Sequence, residues 1–262
     1  MERADPYQDL LAAHYDAVYA AIRDPSGDVG FYLDLARRTG GPVLELGCGT
    51  GRVLLPIARE GIACVGVDAS PAMLAVLRGK KPPRNLNVVE ARIEDLDLGR
   101  RRFRLITSPF RALSHLLDVE TQLAALARVR RHLARGGLFA FDLFDPKLER
   151  IALAHEPEHL AARFLRDGHD VRRFDTVERD HTRQLMTVSM RFEGARPEDS
   201  GASQVTLRWY YRFEVEHLLA RVGFEIAEIF GGFDRRPWTA GQETVVLARA
   251  AGRKPLRARP TS

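Results

Sequence analysis

Val43-Leu44-Glu45-Leu46-Gly47-Cys48-Gly49-Thr50-Gly51-Arg52 decides the fold: a short apolar run stops abruptly in glycines and passes into Val53-Leu54-Leu55-Pro56-Ile57. Residues 43 to 47 read as a buried strand and residues 51 to 60 as a helix. A residue without Cβ adopts positive φ cheaply and leaves no side chain in the way of a ligand. A ligand is therefore expected against this loop.

The glycine spacing narrows the ligand. A dinucleotide loop needs G-x-G-x-x-G, its third glycine packing helix on strand while the pyrophosphate sits on the helix N-terminus. Here the third glycine comes one residue early, at Gly51, and Arg52 stands in its place. The Gly-Lys-Ser/Thr of a P-loop is absent. What remains is E-x-G-x-G-x-G. The next apolar run, 62 to 67, ends in Asp68, near the roughly 20-residue offset at which a strand-end carboxylate reaches a ribose hydroxyl pair. Adenosine without a pyrophosphate fits both features.

Residues Glu45 to Arg52, followed by Gly66-Val67-Asp68-Ala69-Ser70-Pro71-Ala72-Met73-Leu74, resemble motifs I and II of the class I S-adenosylmethionine-dependent methyltransferases. The resemblance implies S-adenosyl-L-methionine as cofactor, contacted by Glu45, Gly47, Cys48, Gly49, Gly51, Arg52, Asp68, Ala69 and Met73. It also implies a seven-stranded sheet whose last strand runs antiparallel. Relatives carry Gly-Asp-Met after the third strand. This chain has Arg92 and Ile93 at the matching places, so Ile93 can cover the adenine face while a side-chain carboxylate is missing.

The chain has 262 residues, 45% of them hydrophobic, which suits one large domain or a domain plus a lobe. No apolar run approaches the ~20 residues of a membrane span, and the opening Met-Glu-Arg-Ala-Asp lacks a signal-peptide core, so a soluble cytoplasmic protein without membrane partners is expected. Cys48 and Cys64 are a poor basis for a disulfide framework and too few for a zinc site. No metal is expected. The net charge of +5 admits an anionic partner, but the arginines are scattered, which favours solvated surface over a nucleic-acid footprint.

Apolar and aromatic positions spaced three and four apart predict a helix over 7 to 22, and a second over 29 to 38 stops at Gly40-Gly41-Pro42. The resemblance implies that residues 1–42 form a lid over the cofactor, with Tyr15 at the cofactor and Tyr19 at the active site, although on the pattern alone each reads as a plain core aromatic. From 43 onward strands alternate with helices of about ten residues, so 43–159 is expected to be a doubly wound α/β core with a mostly parallel sheet. Ser70 before Pro71 reads as a helix N-cap. The loop after the fourth strand, Ser108-Pro109-Phe110-Arg111-Ala112-Leu113-Ser114-His115, borders the same crevice as Gly49 and Asp68. The resemblance places Ser108 and Phe110 at the cofactor and makes His115 a candidate general base or else a packing histidine. Asp142 and Phe144, after the fifth strand, match acceptor-contacting positions, although Asp142 could equally cap a turn.

Residues 160–213 change character: 171 to 177, 185 to 192 and 205 to 213 alternate apolar and polar residues, which predicts a small antiparallel β lobe. Residues 194 to 203 read as a mobile loop. Trp209 and Tyr211 suit an acceptor pocket, a homodimer contact or ordinary packing. Residues 214–250 complete the core, and the basic tail 251–262 lacks an apolar face and is expected to be disordered. The favoured activity is methyl transfer by in-line displacement to a small-molecule acceptor through an amine nitrogen. An RNA or protein methyltransferase, an NAD-dependent oxidoreductase and a non-catalytic cofactor-binding relative are the alternatives.

Overall fold

A computed structural model describes residues 9–22, 25–241 and 243–252; the tail from 253 lies outside the described residues. In chain order the elements are α1 (Asp9–Ile22), α2 (Pro25–Thr39), β1 (Val43–Leu46), α3 (Leu54–Arg59), β2 (Cys64–Asp68), α4 (Pro71–Gly79), β3 (Leu86–Glu90) and β4 (Phe103–Ser108). A 3-10 turn, Ala112–His115, leads to α5 (Val119–His132) and β5 (Leu133–Phe144). After these come α6 (Leu148–Ile151), β6 (His155–Arg166), β7 (His169–Asp180), β8 (Leu185–Gly194), β9 (Gly201–Arg208), α7 (Arg212–Arg221), β10 (Phe224–Phe230) and β11 (Glu243–Ala250).

Seven strands form one sheet in the order β10-β11-β5-β4-β1-β2-β3. β1 pairs in parallel with β2 and β4, whereas β11 runs antiparallel to both β5 and β10. Strand alternation sends Leu44 and Leu46 to the face covered by α5 and α7, and Val43 to the face covered by α2, α3 and α4. Both layers are apolar, so β1 is buried at every residue. Burying each such leucine or valine stabilises the fold by about 1.5–3 kcal/mol. Ser70 caps α4 by accepting from the Met73 N–H at 3.2 Å, and Asp118 caps α5 through the Thr121 N–H at 2.8 Å.

The remaining strands form a separate antiparallel sheet, β6-β7-β8-β9. It spans 155–208, not 160–213. The alternation at 171–177 and 185–192 marked β7 and β8, but β6 was missed because Pro157 and the polar His155–His159 segment interrupt its pattern. Residues 209–211 leave the sheet and lead into α7. The segment expected to be a mobile loop, 194 to 203, is pinned: Asp199 is buried and pairs with Arg166 at 2.7 Å and Arg196 at 2.6 Å, and residues from 201 belong to β9.

Helix α1 joins the two sheets. Leu11 and Val18 pack with Phe164, Val171, Val188, Met190 and Phe192 of the small sheet. Its Asp16 accepts from the Thr50 hydroxyl at 2.6 Å and pairs with Lys80 at 2.5 Å, which ties the helix to the glycine loop.

Candidate active site

The tip of β1 is shaped by close approach. Gly47 has φ +66°, and a Cβ there would stand 2.6 Å from the Ala112 Cβ, so the glycine loop and the turn after β4 can touch only with glycine at this position. Gly49 has φ +51°, and its N–H donates to Asp68 Oδ2 at 2.7 Å while the Ser70 N–H donates to Oδ1 at 2.8 Å. Two backbone amides thereby fix the carboxylate at the strand end. Gly51 does a different job: a Cβ there would stand 3.0 Å from Leu55 and Leu77, so glycine lets the loop settle onto these side chains.

Glu45 is turned into the apolar layer under the loop, with the Thr107 hydroxyl 3.4 Å away as donor. Desolvation raises its pKa to about 8, opposed by the nearby Arg52 guanidinium. Arg52 forms a bidentate pair with buried Asp28, at 2.8 and 2.6 Å, and stands 5.3 Å from the centre of the Phe110 ring. Cys48 and Met73 are buried, and the Cys48 thiol is held well above its usual pKa by burial. These four side chains support the loop from below and do not form the cleft wall.

The cleft, of about 920 Å³, lies between the loop and the small sheet. Gly47, Asp68, Ala69, Ile93, Ala112 and His115 line its core side. Opposite them stand Thr176, Ser189, Arg191, Gln204 and Thr206 of β7, β8 and β9. His115 is half-buried, and desolvation lowers its pKa to about 4, so its imidazole is neutral near pH 7. Arg92, at the place where relatives carry the adenine-contacting acid, pairs with Glu94 at 2.6 Å on the rim.

A second cleft, of about 680 Å³, opens on the other face of the small sheet. Met186, Val188, Val205 and Leu207 line it, the alternate residues to those facing the first cleft. Tyr19, Phe110 and Phe144 complete its apolar wall, and Arg111 stacks 5.1 Å from the Phe144 ring centre. Tyr15, Tyr19 and Phe110 form one aromatic group, with Tyr19 and Phe110 4.3 Å apart between centroids. Burial raises the Tyr19 pKa, so its hydroxyl keeps its proton. The segment 110–117 and Met190 border both clefts. His115 and Tyr19 thus stand in different clefts.

Three expected acceptor contacts lie elsewhere. Asp142 is fully buried; its Oδ1 accepts from the Tyr32 hydroxyl at 2.8 Å and the Phe110 N–H at 2.7 Å, which orders the loop after β4. Trp209 is buried, with its ring edge toward His181. Tyr211 is an exposed residue at the start of α7. Ser108 is buried at the end of β4, and its hydroxyl has no hydrogen-bond partner among the described residues. The residues that sequence reasoning missed are Asp28, Ala112, Arg173 and the polar row Thr176, Ser189, Gln204 and Thr206. Only the last carried a signal, the period of two along β8 and β9.

This strand order, with a glycine loop after β1 and a carboxylate at the end of β2, defines the class I S-adenosylmethionine-dependent methyltransferase fold. Residues 43–137 match the methyltransferase domain family. The chain is 28% identical over 259 residues to a cypemycin N-terminal methyltransferase from Streptomyces sp, covering 93% of this chain and 98% of that protein. The CcbJ methyltransferase structure from Streptomyces caelestis superposes with a TM-score of 0.79 at 27% identity, covering 95% of this chain and all of that one. CalS10, an amino pentose methyltransferase from Micromonospora echinaspora solved with S-adenosylmethionine bound, shares the fold at TM-score 0.67 and 22% identity, over 87% and 92% of the two chains. Over residues 43–137 the chain carries a methyltransferase domain, and the proteins it resembles are S-adenosylmethionine-dependent methyltransferases. No helix among the described residues is long and apolar enough to cross a membrane.

Proposed function

We propose that the protein transfers the methyl group of S-adenosylmethionine to an amine nitrogen of a small molecule held against the four-stranded sheet. The observation that carries the proposal is a neutral imidazole, His115, sharing one cleft with Gly47 and Asp68. The similarity to an N-terminal methyltransferase and an amino pentose methyltransferase supports nitrogen as the acceptor atom.

The residues fit the cofactor. Asp68, held by two amides, keeps acceptor capacity for a ribose hydroxyl pair, Ile93 gives an apolar surface for the adenine, and Gly47 leaves the floor open. When bound, the sulfonium would supply an activated methyl group to the acceptor nitrogen, the C–S electron pair staying on sulfur as the C–N bond forms. His115, as the neutral imidazole, accepts a hydrogen bond from the acceptor N–H, directs the nitrogen lone pair, and passes the released proton to solvent. The cleft walls hold the reactants in line, and positioning alone can supply about 7 kcal/mol or more of the barrier.

The test is incubation with labelled methyl donor and a panel of small primary and secondary amines, read by mass spectrometry. N-methylated products support the reading. Label appearing only on hydroxyl acceptors, RNA or protein side chains overturns it.

A further inference from the structure

In the second cleft orphaned donors outnumber orphaned acceptors: among the described residues lining it, Glu243 Oε2 is the one buried acceptor atom without a partner. Among the described residues, three of the buried side-chain atoms that lack a hydrogen-bond partner are guanidinium nitrogens of residues lining this one cleft: Arg111 Nε, Arg173 Nη1 and Arg179 Nε. Arg173 is 7% exposed, and the Arg179 side chain 4%. A buried donor without an acceptor is costly, more so for a charged group, so three in one cleft call for a ligand with acceptor oxygens.

Each guanidinium already has a carboxylate. Arg173 is bidentate with Asp175 at 2.7 and 2.6 Å, Arg111 pairs with Glu243 at 2.5 Å, and Arg179 pairs with Glu156. The pairs order the arginines without using every donor. Lining cations still outnumber lining carboxylates by five to four, so one further negative charge balances the cleft. Beside these donors lie Val177, Met186, Val188 and Leu207, an apolar bed, and Tyr19, whose hydroxyl lies within hydrogen-bonding reach of the Arg173 guanidinium and feels its charge.

We propose that this second cleft is a separate binding site for an amphipathic ligand carrying one carboxylate on an apolar skeleton, with Arg173 as its principal donor. Arg173 recognises the acidic group and takes no part in methyl transfer. A neutral amide offers one acceptor oxygen and no charge, so it answers fewer of these donors, which is the source of discrimination.

The experiment titrates 4-phenylbutyrate and 4-phenylbutyramide into the protein saturated with S-adenosylhomocysteine, by calorimetry. The acid is expected to bind about tenfold or more tighter than the amide, and Arg173→Gln to bring the two level while S-adenosylhomocysteine affinity is retained. Should Arg173→Gln fail to fold, Arg111→Gln, at a more exposed member of the trio, is expected to cut the preference in the same direction. Equal binding of acid and amide, absence of binding by both, or a preference that survives the substitutions overturns the proposal. Because no turnover is measured, that failure is separate from a failure to methylate amines.

Discussion

Substituting Gly47 by alanine tests the close approach on which the cofactor cleft depends. At φ +66° a Cβ costs about 1–2 kcal/mol. The same Cβ would lie 2.6 Å from the Ala112 Cβ, well inside the ~3.5–4.0 Å optimum for carbon pairs. Overpacking of that kind costs about 1–3 kcal/mol. The sum, about 2–5 kcal/mol, is a large share of a stability of about 5–15 kcal/mol. Adding Ala112→Gly removes the overlap but not the backbone strain, and brings its own glycine cost of about 0.5–1 kcal/mol. The two substitutions are therefore expected to couple favourably by about 1–3 kcal/mol, measured by urea unfolding of the wild type, both single variants and the double variant. Gly47→Ala alone should also weaken S-adenosylhomocysteine binding in calorimetry. A single variant as stable as the wild type, or costs that simply add, would refute the packing argument.

Asp68→Ala is expected to weaken S-adenosylhomocysteine binding about tenfold or more, since it removes the fixed carboxylate and frees the Gly49 and Ser70 amides; unchanged affinity in calorimetry counts against the assignment. His115→Ala is expected to lower kcat by about 10²-fold or more with cofactor affinity retained, and equal turnover would remove His115 from the mechanism. For His115 the folded pKa, about 4, lies below the ordinary 6.5, so its contribution to stability is present above 6.5 and is lost as pH falls toward 4. Glu45 has the opposite sign: its folded pKa of about 8 exceeds the ordinary 4.5, so its contribution is present below 4.5 and lost as pH rises through 8. Glu45→Gln should therefore gain urea resistance relative to wild type between those values, and parallel pH profiles would show that burial does not control this carboxyl.

The glycine loop and Asp68 were legible because backbone sterics demand glycine at particular offsets and a strand end exposes its last side chain. The doubly wound α/β core followed from alternating strand and helix lengths, whereas the antiparallel last strand was implied only by the family resemblance. Glu45, Cys48 and Met73 have matching motif positions but face inward, because motif membership does not record which side of the strand or helix a residue takes. Asp142 was ambiguous for the same reason, and its hydrogen bonds to Tyr32 and Phe110 span 110 and 32 residues of sequence. The trio of arginines in the second cleft was illegible: in a chain with 40 lysines and arginines, nothing local distinguishes Arg173 from its neighbour Arg172, which turns outward.

Through Asp16, α1 grips the loop that cradles the methyl donor, and through Leu11 and Val18 it lies on the sheet that walls both clefts. Any sliding of this fourteen-residue rod displaces the two ligand beds in concert. A compound that wedged the rod aside would therefore loosen the glycine loop and the four-stranded sheet together.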